Sequence, residues 1–82
     1  METKENRSQQ IRAIRKATGL TQEQFAAKLG VTFPTVNRWE NQKTIPSPLA
    51  LQKLEKLRKN LIRKGVEIEI ITAEAKSTHG VL

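Results

Sequence analysis

The chain has 82 residues, no cysteine and a single histidine, His79. That length allows one domain with a small core, and the composition excludes a disulfide framework, a thiolate metal site and a multi-histidine metal site within one chain. Fifteen basic residues stand against eight acidic ones, a net charge of +7, which makes nucleic acid the first partner to consider.

The charge is unevenly spread. Residues 1–20 carry +3, residues 21–46 carry +1, residues 47–65 carry +5 and residues 66–82 carry −2. A basic body thus precedes a slightly acidic tail. No apolar run is long enough to span a bilayer, and no charged-then-apolar leader opens the sequence. A cytoplasmic protein without membrane contact is expected. With its one histidine in a polar tail, neither an enzyme nor a cofactor is expected.

Asn6 is the expected cap of a first helix, with Gln9 at the reciprocal position of a capping box. Ile11 and Ile14 then share one face with Ala17 close by, while Arg7, Arg12 and Lys16 fall on other faces. Gly19 ends this helix. The stretch GLTQEQFAAKLG reads as a second, short helix. Thr21 is its cap, Gln24 completes the box, and Leu20 and Phe25 flank the cap as a hydrophobic staple. Phe25, Ala26 and Leu29 make its buried stripe, and Gly30 ends it.

Only Val31 separates that stop from the next cap, Thr32. Helices joined so briefly cannot lie antiparallel and must cross steeply, which is the signature of a helix-turn-helix. The third helix comes from VTFPTVNRWENQ. It turns Val36 and Trp39 inward and Asn37, Arg38 and Asn41 outward. The chain loosens through NQKTIPSP until Ser47 caps a fourth helix, with Pro48 at its first position. That helix runs to about Lys64, with Leu51, Leu54, Leu57 and Leu61 as its apolar stripe. Lys53, Lys56 and Lys59 read as a solvated face. After Gly65 the period changes. VEIEII, residues 66–71, alternates apolar and acidic positions and reads as one β-strand. Residues 1–65 are therefore one domain, and residues 66–82 a strand-like segment with a tail.

Taken together, GLTQEQFAAKLGVTFPTVNRWENQKTIPS resembles the helix-turn-helix of the lambda-repressor-like DNA-binding proteins, the XRE family. The matching pieces are Leu20-Thr21-Gln22-Glu23, Ala26, Leu29-Gly30-Val31, Val36, Trp39-Glu40-Asn41 and Pro46, and with the flanking helices the likeness covers about residues 6–64. The resemblance implies an all-α fold of four or five helices whose third helix enters the major groove of double-stranded DNA. It places Gln22 beside the DNA backbone, and Phe33, Pro34, Asn37 and Arg38 on the groove side. It puts Thr32, Thr35, Asn41 and Lys43 near phosphates and makes Arg15 and Glu40 a structural ion pair. Two departures stand out. Gln42 fills a position that is usually glycine, so Asn41 is expected to take the left-handed cap. The strand-like VEIEII stands near the place of a fifth helix.

These residue types suit a duplex, in which phosphate contacts set affinity and base edges set sequence preference. The fork of Arg38 matches guanine O6 and N7, the amide of Asn37 matches adenine, and Phe33 and Pro34 suit a thymine methyl. Each has a plainer reading: Phe33 as core, Pro34 as a helix starter, Arg38 as solvated surface. Antiparallel pairing of residues 66–71 would make a homodimer; the alternatives are a strand docking on its own helices and a partner protein binding residues 66–82. The expected function is a sequence-specific transcriptional regulator, a repressor acting by operator occupancy. The rivals are an antitoxin that represses its own operon and a protein–protein adaptor on the same fold.

Overall fold

Capping residues decide where each helix starts. The computed structural model describes residues 3–68 and holds four helices: α1 (Lys4–Thr18), α2 (Gln22–Leu29), α3 (Phe33–Glu40) and α4 (Pro48–Arg63). Thr21 and Gln24 close the expected capping box of α2 at 3.1 and 3.0 Å. Ser47 Oγ accepts the Ala50 N–H at 3.3 Å at the head of α4. At α1 the cap is Thr3 rather than Asn6: Thr3 Oγ1 accepts the Asn6 N–H at 3.0 Å. Starting earlier puts Glu5 in the first turn, where a negative charge faces the positive end of the helix dipole, and buries Ser8 with its hydroxyl donating to Glu5 O at 2.9 Å.

The chain reversals after α2 and α3 follow one pattern. After α2, Gly30 N–H donates to Ala27 O at 3.2 Å and Val31 N–H to Ala26 O at 2.9 Å. After α3, Gln42 N–H donates to Trp39 O at 3.3 Å and Lys43 N–H to Arg38 O at 2.9 Å. Both are Schellman reversals, which need a left-handed residue at the pivot. Gly30 supplies it at φ 74°, and Gln42 supplies it at φ 63°. The expectation that Asn41 would take this conformation is therefore overturned. Asn41 keeps φ −102° because its own N–H completes a helical bond to Asn37 O at 3.0 Å. The reversal falls one residue later, on a side chain that carries a Cβ.

Helix α3 packs against α1 and α2, and α4 packs across both. The core is Ile11, Ile14, Phe25, Ala26, Leu29, Val36, Trp39, Ala50 and Leu54, with Leu20, Val31, Leu51, Leu57 and Leu61 partly buried around it. Lys53 lies on the exposed face expected of it and also makes a specific bond. Its Nζ donates to Leu29 O at 3.2 Å, satisfying a carbonyl that the end of α2 leaves without a helical partner. The described residues of the expected strand, Val66 to Ile68, are not in a strand. Val66 N–H turns back to Leu61 O at 2.9 Å, and Ile68 packs against the core of its own chain. The rest of residues 66–71, and the tail with His79, lie outside the described residues.

One buried acid ties the first three helices together. Glu40, the last residue of α3, is 2% exposed. Arg15 on α1 grips it with two bonds, Nε to Oε2 at 2.6 Å and Nη2 to Oε1 at 3.0 Å. Gln22, the first residue of α2, donates Nε2 to the same Oε1 at 3.0 Å. Arg12, which the sequence reading leaves on another face, donates Nη2 to the backbone carbonyl of Glu40 at 2.7 Å and brings Nε to 3.8 Å from Oε1. Its cation thus sits at the negative end of α3. The hydrogen bond from Arg15 to Glu40 raises the guanidinium pKa above its ordinary value, against the opposing effect of burial.

Two substitutions test this framework. Glu40→Gln strands Arg15 beside an uncharged amide, and removing one member of a buried pair costs about 3 kcal/mol or more; urea unfolding will show a lower midpoint. Gln42→Gly removes the left-handed strain and stabilises by about 1 kcal/mol, once the larger unfolded-state entropy of glycine is subtracted. An unchanged or lower urea midpoint for Gln42→Gly would count against strain at that pivot.

Candidate nucleic-acid interface

An eight-residue helix can bury one narrow side and offer the other. In α3 the residues Val36, Trp39 and Glu40 are buried, at the i, i+3, i+4 spacing that lines one face. Phe33, Pro34 and Arg38 are exposed and Asn37 is half-buried. Phe33 is 44% exposed, so it stays at the tip of the helix and does not fold into the core. Arg38 and Lys43 are exposed, and neither side chain makes a hydrogen bond or ion pair among the described residues. Both cations are free to meet a ligand.

The head of α3 is unusual, and Pro34 explains it. Thr32 has the extended backbone of an N-cap, but its side chain makes no capping bond. A cap oxygen ordinarily accepts from the second or third N–H of the helix. Here the second is proline, which has none, and the third, from Thr35, goes to Thr32 O at 3.1 Å. The Thr32 and Thr35 hydroxyls pair instead with each other at 2.8 Å. They form a surface pair of hydroxyls beside the exposed Phe33.

Gln22 and Asn37, expected to act separately on phosphate and base, are in contact. Asn37 Nδ2 donates to Gln22 Oε1 at 3.0 Å, while Gln22 Nε2 donates to Glu40. Gln22 keeps one further N–H, which points to no other residue described. Asn41 Nδ2 donates to Asn37 O at 2.7 Å, so Asn41 is fixed against the last turn of α3. Lys43 follows the reversal, with its backbone held by Arg38 O.

The interface thus divides. Glu40, Gln22, Asn37 and Asn41 are linked to the body, while Phe33, Pro34, Arg38 and Lys43 project from it. The positioning roles of Arg12 and Lys53 escape a sequence reading because both depend on which helix ends lie across from them. The pairing of Gln22 with Asn37 escapes it for the same reason, since the two residues stand on different helices.

No helix among the described residues is long and apolar enough to cross a membrane. Neither the curated proteins nor the solved structures compared with the chain include a match. A family model described as helix-turn-helix, HTH_3, matches residues 11–57, more than half of the chain, from the core of α1 to the third turn of α4. The packed pair α2 and α3, its three-residue connection and the match agree: the chain belongs to the lambda-repressor-like, XRE-type helix-turn-helix family of DNA-binding proteins.

Proposed function

We propose that the chain is a sequence-specific double-stranded DNA-binding protein, a small transcriptional regulator that represses by occupying an operator. The observation that carries this reading is the outer face of α3. It offers an unengaged guanidinium at Arg38, an exposed aromatic at Phe33 and an amide at Asn37, on a helix whose inner face is locked into the core. Base edges in the major groove call for that set: forked donors for guanine, an amide for adenine, and apolar edges for the thymine methyl. Pro34 stiffens the tip that carries Phe33.

The phosphate contacts fall to a ring around this face. Gln22 stands at the first position of α2, where backbone N–H groups and the helix dipole favour an anion. The hydroxyls of Thr32 and Thr35, the amide of Asn41 and the ammonium of Lys43 complete it. These groups set register and affinity and carry no sequence information. A single domain of this kind covers about 600–1,000 Å² on DNA, which limits specificity. We therefore assign two copies of the chain to one operator, on half-sites about one helical turn apart.

Selection from a pool of random duplexes tests the reading. The protein will enrich a short palindromic sequence. Arg38→Ala will relax preference at one or two positions, since a bidentate pair with guanine supplies about 1–3 kcal/mol of discrimination. Lys43→Ala will instead weaken binding to all sequences alike and lower the slope of affinity against salt by about one. Identical behaviour of the two variants would contradict this division. Sedimentation on the selected duplex will show two chains bound per palindrome, and a saturated complex of one chain would remove the paired-site assignment.

A further inference from the structure

A line of hydrogen bonds runs from the buried acid to the outer face of α3. Arg15 donates to Glu40, Gln22 donates to Glu40, and Asn37 donates to Gln22. Its direction is dictated at the buried end. Arginine can only donate, and Arg15 takes both oxygens of Glu40, so both act as acceptors. Gln22 must then approach Glu40 Oε1 with its nitrogen, which turns its amide oxygen toward Asn37. Asn37 in turn must present its nitrogen to Gln22. An asparagine amide free in solution has two near-equivalent orientations; here one is selected by a carboxylate two bonds away.

We infer that Glu40, through Gln22, sets which way round Asn37 is offered to DNA, and that Asn37 in this orientation reads adenine. After its bond to Gln22, Asn37 keeps its Oδ1 acceptor and one Nδ2 N–H; neither is engaged by another residue described. Adenine presents the complement, an N6 amine that donates and an N7 that accepts. Guanine presents two acceptors, and one of them would face the Asn37 oxygen. Gln22 and Glu40 are positioning residues for this contact. Gln22 thereby has two duties, one N–H held inward by Glu40 and the other left for the phosphate assigned to it. The inference rests on the proposed sequence-specific reading of DNA.

Two measurements on the full-length protein separate the relay from that reading. Without DNA, side-chain amide exchange followed by NMR will show one Asn37 proton at least about tenfold slower than the exposed Asn60 amide, a degree of protection that a persistent hydrogen bond confers. Gln22→Leu will abolish the difference. With random duplexes, the wild type will prefer adenine at one position of each half-site about tenfold over other bases. Gln22→Leu will flatten that position while the Arg38-dependent position keeps its preference, though overall affinity falls because leucine offers the phosphate no donor. A generally loosened domain would blur every position together, and that outcome would overturn a specific positioning role. An Asn37 amide exchanging as fast as Asn60 while a motif is still enriched overturns the relay alone. Slow exchange with no enriched sequence overturns the reading of DNA sequence, and the adenine assignment with it.

Discussion

The carboxylate of Glu40 is the constraint on which the rest of this structure depends. A buried charge is costly unless it is paired and hydrogen-bonded. Glu40 is compensated by donors from two different helices, Arg15 on α1 and Gln22 on α2, while itself ending α3. Satisfying it requires all three helices to meet at one point. Apolar contacts among Ile14, Phe25, Val36 and Trp39 supply driving force but little direction, since hydrophobic burial is non-directional. The ion pair supplies the direction. It ties the last turn of α3 to α1, while the Gln22 bond to the same carboxylate ties that turn to the start of α2, and together they fix which side of α3 faces outward.

Helix α3 needs such help. Isolated helices shorter than about 12–15 residues are marginal in water, and α3 has eight. It has proline at its second position and no side-chain cap at its head. Its stability therefore comes from packing: Val36 and Trp39 in the core, Arg12 on its final carbonyl, and the Schellman reversal through Gln42. All of these lie on its inner side or at its C-terminal end. The N-terminal tip is left to Phe33, Pro34 and the paired hydroxyls of Thr32 and Thr35. Stability comes from the inner side and the C-terminal end, and the exposed chemistry occupies the tip and the outer side of the same short element.

How much of this is legible in the sequence depends on distance along the chain. The capping box of α2, the staple around it, the glycine stops and the leucine stripe of α4 are local patterns, and each stands where its spacing places it. The start of α1 lies one turn before the place that Asn6 and Gln9 mark, because Thr3 Oγ1 accepts the Asn6 N–H and the helix begins at Lys4. Residue preference favours Asn41 as the pivot after α3, whereas the pivot is fixed by how far the helical bonds run, which ends on Gln42. Arg12 and Lys53 look solvated in the sequence because their partners are the ends of helices remote along the chain. The linkage of Gln22 to Asn37 needs the crossing of α2 and α3 before it can be seen at all.

The positions where local preference and structure disagree are informative in their own right. A sequence that only had to fold would place glycine at 42, a capping interaction at 32 and a polar residue at 33. This chain has a strained glutamine just past the end of α3, and at its head a threonine hydroxyl that pairs with Thr35 instead of capping and an exposed phenylalanine. Departures from local consistency are expected where function, rather than stability, selects the residue. The Gln42 pivot is the clearest case, because a Cβ in the left-handed region carries a cost that glycine would not. Its neighbours on either side, Asn41 and Lys43, are both assigned to phosphate. A glutamine side chain there adds a third polar group to that turn, beside the two residues proposed to meet phosphate.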